Sequence, residues 1–346
     1  MKQRTKKFAL LFISASASLF AVEIFLQIIE KPTAKPDDEF TMFYTTDPVL
    51  GWRGLANANG YFTMPESHFF VTNNALGYRD RERAIFTGSV AVYGDSFVWG
   101  YGVNQDERLT DIAEHALAKP VLNRGITGYA PDQAWLLYQT DETVKSAQIV
   151  VCFLNDTDLR DMADRWAHGH PRPYIHLQDN RLSIIQPANL LEAQAQTPSL
   201  TWMDKTWHAA QTLILTKRMA SVIGRNTWFQ KHIFEGVYKR HRKIRNLADT
   251  VPTLVAIFKA WQSDCVSTGA RFIVVAFPLL DETKGTAQFR CWNEIESQCR
   301  SAGIDLFDWR SSFVARQYFP RDGHWNSEGH HHAAMLLTNL ITEQTR

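Results

Sequence analysis

The sequence predicts a three-layer α/β fold, a parallel sheet flanked by helices, preceded by one N-terminal transmembrane helix. Three observations carry that prediction. Residues 89–93, 149–154 and 271–277 are short runs of small, β-branched and aromatic residues, as strands buried on both faces of a parallel sheet require. From residue 254 onward helical and strand-like stretches alternate, which implies βαβ units. The chain opens on Lys2, Arg4, Lys6 and Lys7, followed by 22 mostly apolar residues at 8–29. At ~1.5 Å per residue such a helix reaches across the hydrocarbon core of a bilayer.

The basic tip belongs on the cytoplasmic side, which sends the rest of the chain outside, into the periplasm if the cell is Gram-negative. Residues 1–30 read as this tip plus an uncleaved anchor. Cleavage as a signal peptide at Ala15-Ser16-Ala17 would leave a very short apolar core. Glu23 is expected near the outer interface, where it reaches water; a partner helix is the other setting for it. Residues 31–88 form a linker and a lead-in. Their aromatic pieces Asp47-Pro48-Val49-Leu50-Gly51-Trp52 and Asn73-Asn74-Ala75-Leu76-Gly77-Tyr78-Arg79 are expected to pack on the core and line its cleft.

Residues 89–346 form the main domain, with an insertion at about 157–250. A helix is expected to start within Asp106-Glu107-Arg108-Leu109-Thr110-Asp111-Ile112. Inside the insertion, residues 174–184 predict a hairpin turning at Asp179-Asn180. Residues 202–246 are helical in pattern, and the basic run Lys239-Arg240-His241-Arg242-Lys243 is expected on a solvated face rather than against anionic headgroups. Helices are then predicted at 254–268, 286–302 and 327–345, with strands at 271–277 and 304–307. Cys152 falls mid-strand as an inert core residue, whereas Cys265 and Cys299 lie on neighbouring helices that can bring them together. Pairing is not fixed by sequence. The cysteine spacing gives no zinc pattern, and His330-His331-His332, pointing in different directions on a helix, is expected at the surface.

With 346 residues and 45% of them hydrophobic, the chain can build a substantial core. Lys plus Arg at 37 against Asp plus Glu at 36 gives a net charge of +1, which excludes a dedicated nucleic-acid binder. Chemistry is suggested by four short blocks. Gly94-Asp95-Ser96 follows the first buried strand and puts a hydroxyl at its carboxyl end, where ligands bind in open α/β sheets. Asn123-Arg124-Gly125-Ile126-Thr127-Gly128 is a glycine-rich turn, and the strand at 149–154 ends on Asn155. Asp322-Gly323-His324 places an acid and an imidazole on the same side of an extended chain, the acid holding the base in the tautomer that accepts a serine proton.

In this order the four blocks resemble the SGNH, or GDSL-type, serine hydrolase family, whose fold is flavodoxin-like. The likeness spans roughly residues 89–345, and its Asp-x-His ending is similar to the membrane-anchored bacterial branch. The resemblance implies Ser96 as nucleophile, His324 as base, Asp322 as acid, and Ser96, Gly128 and Asn155 as the oxyanion hole. It implies no cofactor and no metal. The implied reaction is hydrolysis of an acyl ester, an acetyl group on an envelope polysaccharide being the family-level substrate. O-acyl transfer with a multispanning membrane partner, or a non-catalytic role in a membrane assembly, are the other roles in view. Phe153 stands where the third block of the family has glycine. Trp99, Tyr101, Tyr129 and Trp325 lie beside the blocks, as sugar-stacking rings or as ordinary core and rim aromatics.

Overall fold

Five parallel strands organise the core, and their order puts one strand end at a switch point. The structure, a computed structural model, describes residues 39–84, 86–167, 170–187 and 247–345. All of its described elements fall in one compact unit, Asp37–Ala195 with Arg245–Arg346. The expected anchor at 8–29 with Glu23, the helical stretch at 202–246 and the basic run at 239–243 lie outside the described residues. No helix of the described residues is long and apolar enough to cross a membrane.

In chain order the unit begins with α1 (Glu39–Phe43) and two antiparallel hairpins, β1–β2 (Tyr44–Asp47, Gly51–Gly54) and β3–β4 (Asn59–Met64, Ser67–Thr72). There follow β5 (Val90–Gly94), the single turn α2 (Ser96–Trp99), α3 (Leu109–Leu117), β6 (Val121–Gly125) and α4 (Pro131–Thr140). Next come β7 (Ile149–Leu154), α5 (Asp156–Ala163), a two-residue pair β8–β9 (Trp166–Ala167, His170–Pro171) and the hairpin β10–β11 (Tyr174–Gln178, Arg181–Ile185). The last part holds α6 (Val251–Ser267), β12 (Arg271–Ala276), α7 (Leu280–Thr283), α8 (Trp292–Ser301), β13 (Leu306–Asp308) and α9 (Ser327–Gln344).

The sheet runs β13-β12-β7-β5-β6, every pairing parallel. Counted along the chain this is the order 2-1-3-4-5, a doubly wound sheet that reverses direction between its first and third strands, here β5 and β7. The crevice beyond those two ends is where such sheets bind ligands. Alternation along the strands splits the core in two. Val90, Val92, Val151 and Val275 pack with Leu109, Leu337 and Ile341 of α3 and α9. Ala91, Tyr93, Val150 and Val274 pack with Leu254, Trp261 and Ile295 of α6 and α8. Burying apolar side chains on both sides at ~25 cal/mol per Å² is what sustains a parallel sheet of this kind.

Some expectations hold and others shift. The helix after the serine block begins at Leu109, inside the expected stretch 106–112, behind a 3₁₀ turn at Gln105–Glu107. The predicted helix at 286–302 is shorter, because Cys291 takes φ 56° at the N-cap of α8 and the backbone of Thr286 bonds back to Asp281 O. The strand expected at 304–307 pairs only from Leu306. The hairpin at 174–185 turns at Asp179-Asn180, both at positive φ as a two-residue hairpin turn requires. All four cysteines are free; Cys265 and Cys299 are buried without joining. His330 is fully buried rather than at the surface, with Nδ1 accepting from Leu109 N at 3.3 Å where α9 packs on α3.

Candidate active site

Ser96 is set by a turn that only small residues permit. A Cβ on Gly94 would lie 2.6 Å from Val98, and one on Gly125 of β6 would lie 2.3 Å from Trp99 N. The serine turn therefore seats directly on the neighbouring strand. Asp95 caps it, its Oδ1 accepting from Phe97 N at 2.9 Å, and Gly100 ends it at φ 94°. The result is a serine hydroxyl at the carboxyl end of β5, with Ser96 8% exposed.

The far end of the chain meets it. Ser96 Oγ lies 2.7 Å from His324 Nε2, and His324 Nδ1 lies 2.5 Å from Asp322 Oδ1. The three side chains form one hydrogen-bonded series, in which an Nδ1–H donating to Asp322 leaves Nε2 free to accept from serine. Burial pushes the Asp322 carboxyl up, but the hydrogen bond and charge of His324 outweigh it and hold it below the ordinary carboxylate range. His324 is gripped by two rings, Phe97 at 4.8 Å and Tyr101 at 4.6 Å between centroids. Trp325, next in sequence, is buried against Phe97, Phe277 and Phe313 and fixes the backbone there.

The other two predicted residues stand on the strands either side. Asn155 follows β7 and caps α5: its Oδ1 accepts from Thr157 N and Oγ1, both at 2.8 Å. That orients Nδ2 toward the serine side, where one of its two hydrogens goes to Asp95 Oδ2 at 2.9 Å. Asp158 completes the cap by accepting from Asn155 N at 2.7 Å. Burial raises both the Asp95 and Asp158 carboxyls, Asp158 the more strongly, with the charge of Asp95 adding to it. Gly128 sits in the turn after β6 at φ 78°, and that turn is tied to the serine turn by Ile126 N donating to Gly94 O at 3.1 Å. Neither Ser96 N–H nor Gly128 N–H has a hydrogen-bond partner among the described residues.

The lead-in reaches the site from two directions. Tyr44 OH and Trp52 Nε1 donate to Thr127 Oγ1 and O, at 2.8 and 3.1 Å, and Tyr129 OH donates to Trp52 O. Arg79, fully buried, donates to Gly100 O at 2.5 Å and Val103 O at 2.7 Å, pinning the loop behind the serine turn. Neither role carried a sequence signal beyond the aromatic richness of residues 40–88. Of the four aromatics considered for sugar stacking, Trp99, Tyr129 and Trp325 are core residues with 1% exposure or less. Tyr101 alone is partly exposed. Phe153 packs into Phe277, Trp309 and Trp325, and a Cβ on Gly94 would lie 3.3 Å from its Cβ, so the ring belongs to the core beneath the site. A cavity of about 730 Å³ opens beyond β12 and β13, lined by Glu282, Phe289, Trp292, Asp308 and Arg310 among others. None of the five site residues lines it, and the Arg310 guanidinium already covers Trp292 at 3.7 Å.

No protein-family model matches the chain, and no curated protein matches it. Solved structures similar to it include a lipolytic protein of the G-D-S-L family from Desulfitobacterium hafniense, 12% identical, TM-score 0.40, covering 73% of this chain and 99% of its own. A lipase/acylhydrolase from Enterococcus faecalis is 12% identical, TM-score 0.38, covering 74% and 96%. The carbohydrate acetylesterase Est24 from Sinorhizobium meliloti is 10% identical, TM-score 0.35, covering 74% and 99%. Likeness of this degree assigns no activity to the chain.

Proposed function

We propose that the protein is a serine esterase of SGNH type that cleaves an O-acyl ester. The observation that carries this reading is the hydrogen-bonded series Ser96–His324–Asp322 at the carboxyl end of β5. Ser96 Oγ attacks the ester carbonyl carbon as its proton passes to His324 Nε2, with Asp322 stabilising the imidazolium that forms. The tetrahedral oxyanion is met by the Ser96 and Gly128 N–H groups and the second Nδ2 hydrogen of Asn155, each donor worth about 10²–10³ in rate. The imidazolium then protonates the leaving alcohol, and a water activated by the same imidazole releases the acid and regenerates Ser96.

The same proposal includes an acetyl ester on an envelope polysaccharide as substrate, and a catalytic unit held outside the cytoplasmic membrane by residues 8–29. Its support for the membrane is the basic tip and apolar run of the sequence. The test is turnover of short acyl esters by purified full-length protein. Hydrolysis that disappears in Ser96→Ala supports the reading; equal hydrolysis by both proteins removes it.

A further inference from the structure

The hairpin β3–β4 turns at Pro65-Glu66, and its tip rests on the loop that carries the acid and the base. Glu66 Oε2 accepts from the backbone N–H of Arg321 and of Asp322, each at 2.9 Å. Ser67, beside it, donates from its hydroxyl to Gly102 O at 2.5 Å, fastening the same tip to the loop after the serine turn. The two loops also touch directly, since a Cβ on Gly102 would lie 2.5 Å from the Phe319 ring. One hairpin tip thus holds both sides of the Ser96–His324 contact.

We infer that Glu66 is a positioning residue for the Asp322–His324 pair, an inference that rests on the esterase reading. An aspartate carboxyl is one methylene from the chain, so where Asp322 Oδ1 lies follows from where its backbone lies. The loop is closed at its base by Phe319 N to His324 O at 2.8 Å and Gly323 N to Phe319 O at 2.9 Å. Its outer half, Arg321 and Asp322, is exposed, and Gly323 at φ 92° gives it freedom to swing. Two charge-assisted bonds from one carboxylate oxygen remove that freedom. A 2.5 Å contact between Asp322 and His324 tolerates little displacement. The lead-in is thereby part of the catalytic apparatus and not only a cover for the core.

The test compares full-length wild type, Glu66→Ala, Glu66→Gln and Ser96→Ala. It reads kcat and KM on a short acyl ester, the thermal midpoint, and the downfield NMR proton of the His324–Asp322 hydrogen bond. Glu66→Ala is expected to lose about tenfold to a hundredfold in kcat with KM nearly unchanged, the scale of a displaced catalytic group. Its downfield proton should broaden or vanish. Glu66→Gln keeps an amide oxygen that accepts the same two N–H groups, and should recover most of the rate and the proton signal. Wild-type kcat and an intact proton in Glu66→Ala would overturn the inference, as would Glu66→Gln no better than Glu66→Ala. If wild type turns over no ester yet its downfield proton is lost in Glu66→Ala and kept in Glu66→Gln, positioning stands and the esterase reading falls.

Discussion

Replacing Asn155 by alanine tests both its observed role as helix cap and Asp95 partner and its proposed role as oxyanion donor. As helix cap it takes the Thr157 N–H and hydroxyl, and losing a cap costs about 1 kcal/mol. Its Nδ2 also partners Asp95 Oδ2 in a buried site, and an oxygen left unsatisfied there costs a further ~1–3 kcal/mol. Asn155→Ala should therefore lose about 3 kcal/mol of stability in urea unfolding. Losing one oxyanion donor should also lower kcat by about 10²–10³, with KM little changed. Asn155→Ser divides the effects. Serine caps a helix as well as asparagine does, so about 1 kcal/mol should return, but its hydroxyl replaces no amide donor and the rate should stay low. Kinetics measured well below both unfolding transitions, with kcat of Asn155→Ala within about threefold of wild type, would remove Asn155 from the oxyanion hole.

Asp322→Asn should leave the fold intact and lower turnover by about 10³–10⁴, since an amide favours the wrong imidazole tautomer; turnover within tenfold of wild type would refute that role. His330 supplies a stability test away from the chemistry. Burial, with the charges of Arg79 and Arg108 adding to it, pulls its imidazole from 6.5 down to about 3. Its folded value lies below its unfolded one, so its stabilising share is complete above pH 6.5 and drains away as pH falls toward 3. At pH 5 the loss is ~2 kcal/mol, at 1.36 kcal/mol per pH unit. Urea unfolding at pH 7 and pH 5 should show wild type losing about that much more than His330→Asn; equal losses would mean that the imidazole is charged in the fold.

The parts of the fold legible in the sequence are those with local causes. Val90, Val92, Val150 and Val151 are apolar on both faces, and strands of that kind occur in parallel sheets. Gly94, Gly125 and Asn155 sit at strand ends because close approach and capping demand them, so their chemistry is written in neighbouring residues. Glu66 had no such signature: its partners are 255 and 256 residues away, and nothing near Pro65 foretells them. Arg79 was equally hidden, since a buried arginine that bonds to backbone carbonyls leaves no pattern in its own segment. The helix that carries the three consecutive histidines was legible, but its buried face was not, so His330 went inward while His331 stayed exposed. Helical periodicity also overran its limit at 286–302, because the left-handed backbone at Cys291 is a conformation that a non-glycine residue rarely announces.

The central claim is that Ser96 is the nucleophile, and covalent capture tests it most directly. A fluorophosphonate probe, followed by mass spectrometry of the digested protein, should place the label on Ser96 in wild type and find none in Ser96→Ala. Label on another serine, or labelling that survives in Ser96→Ala, would contradict the account.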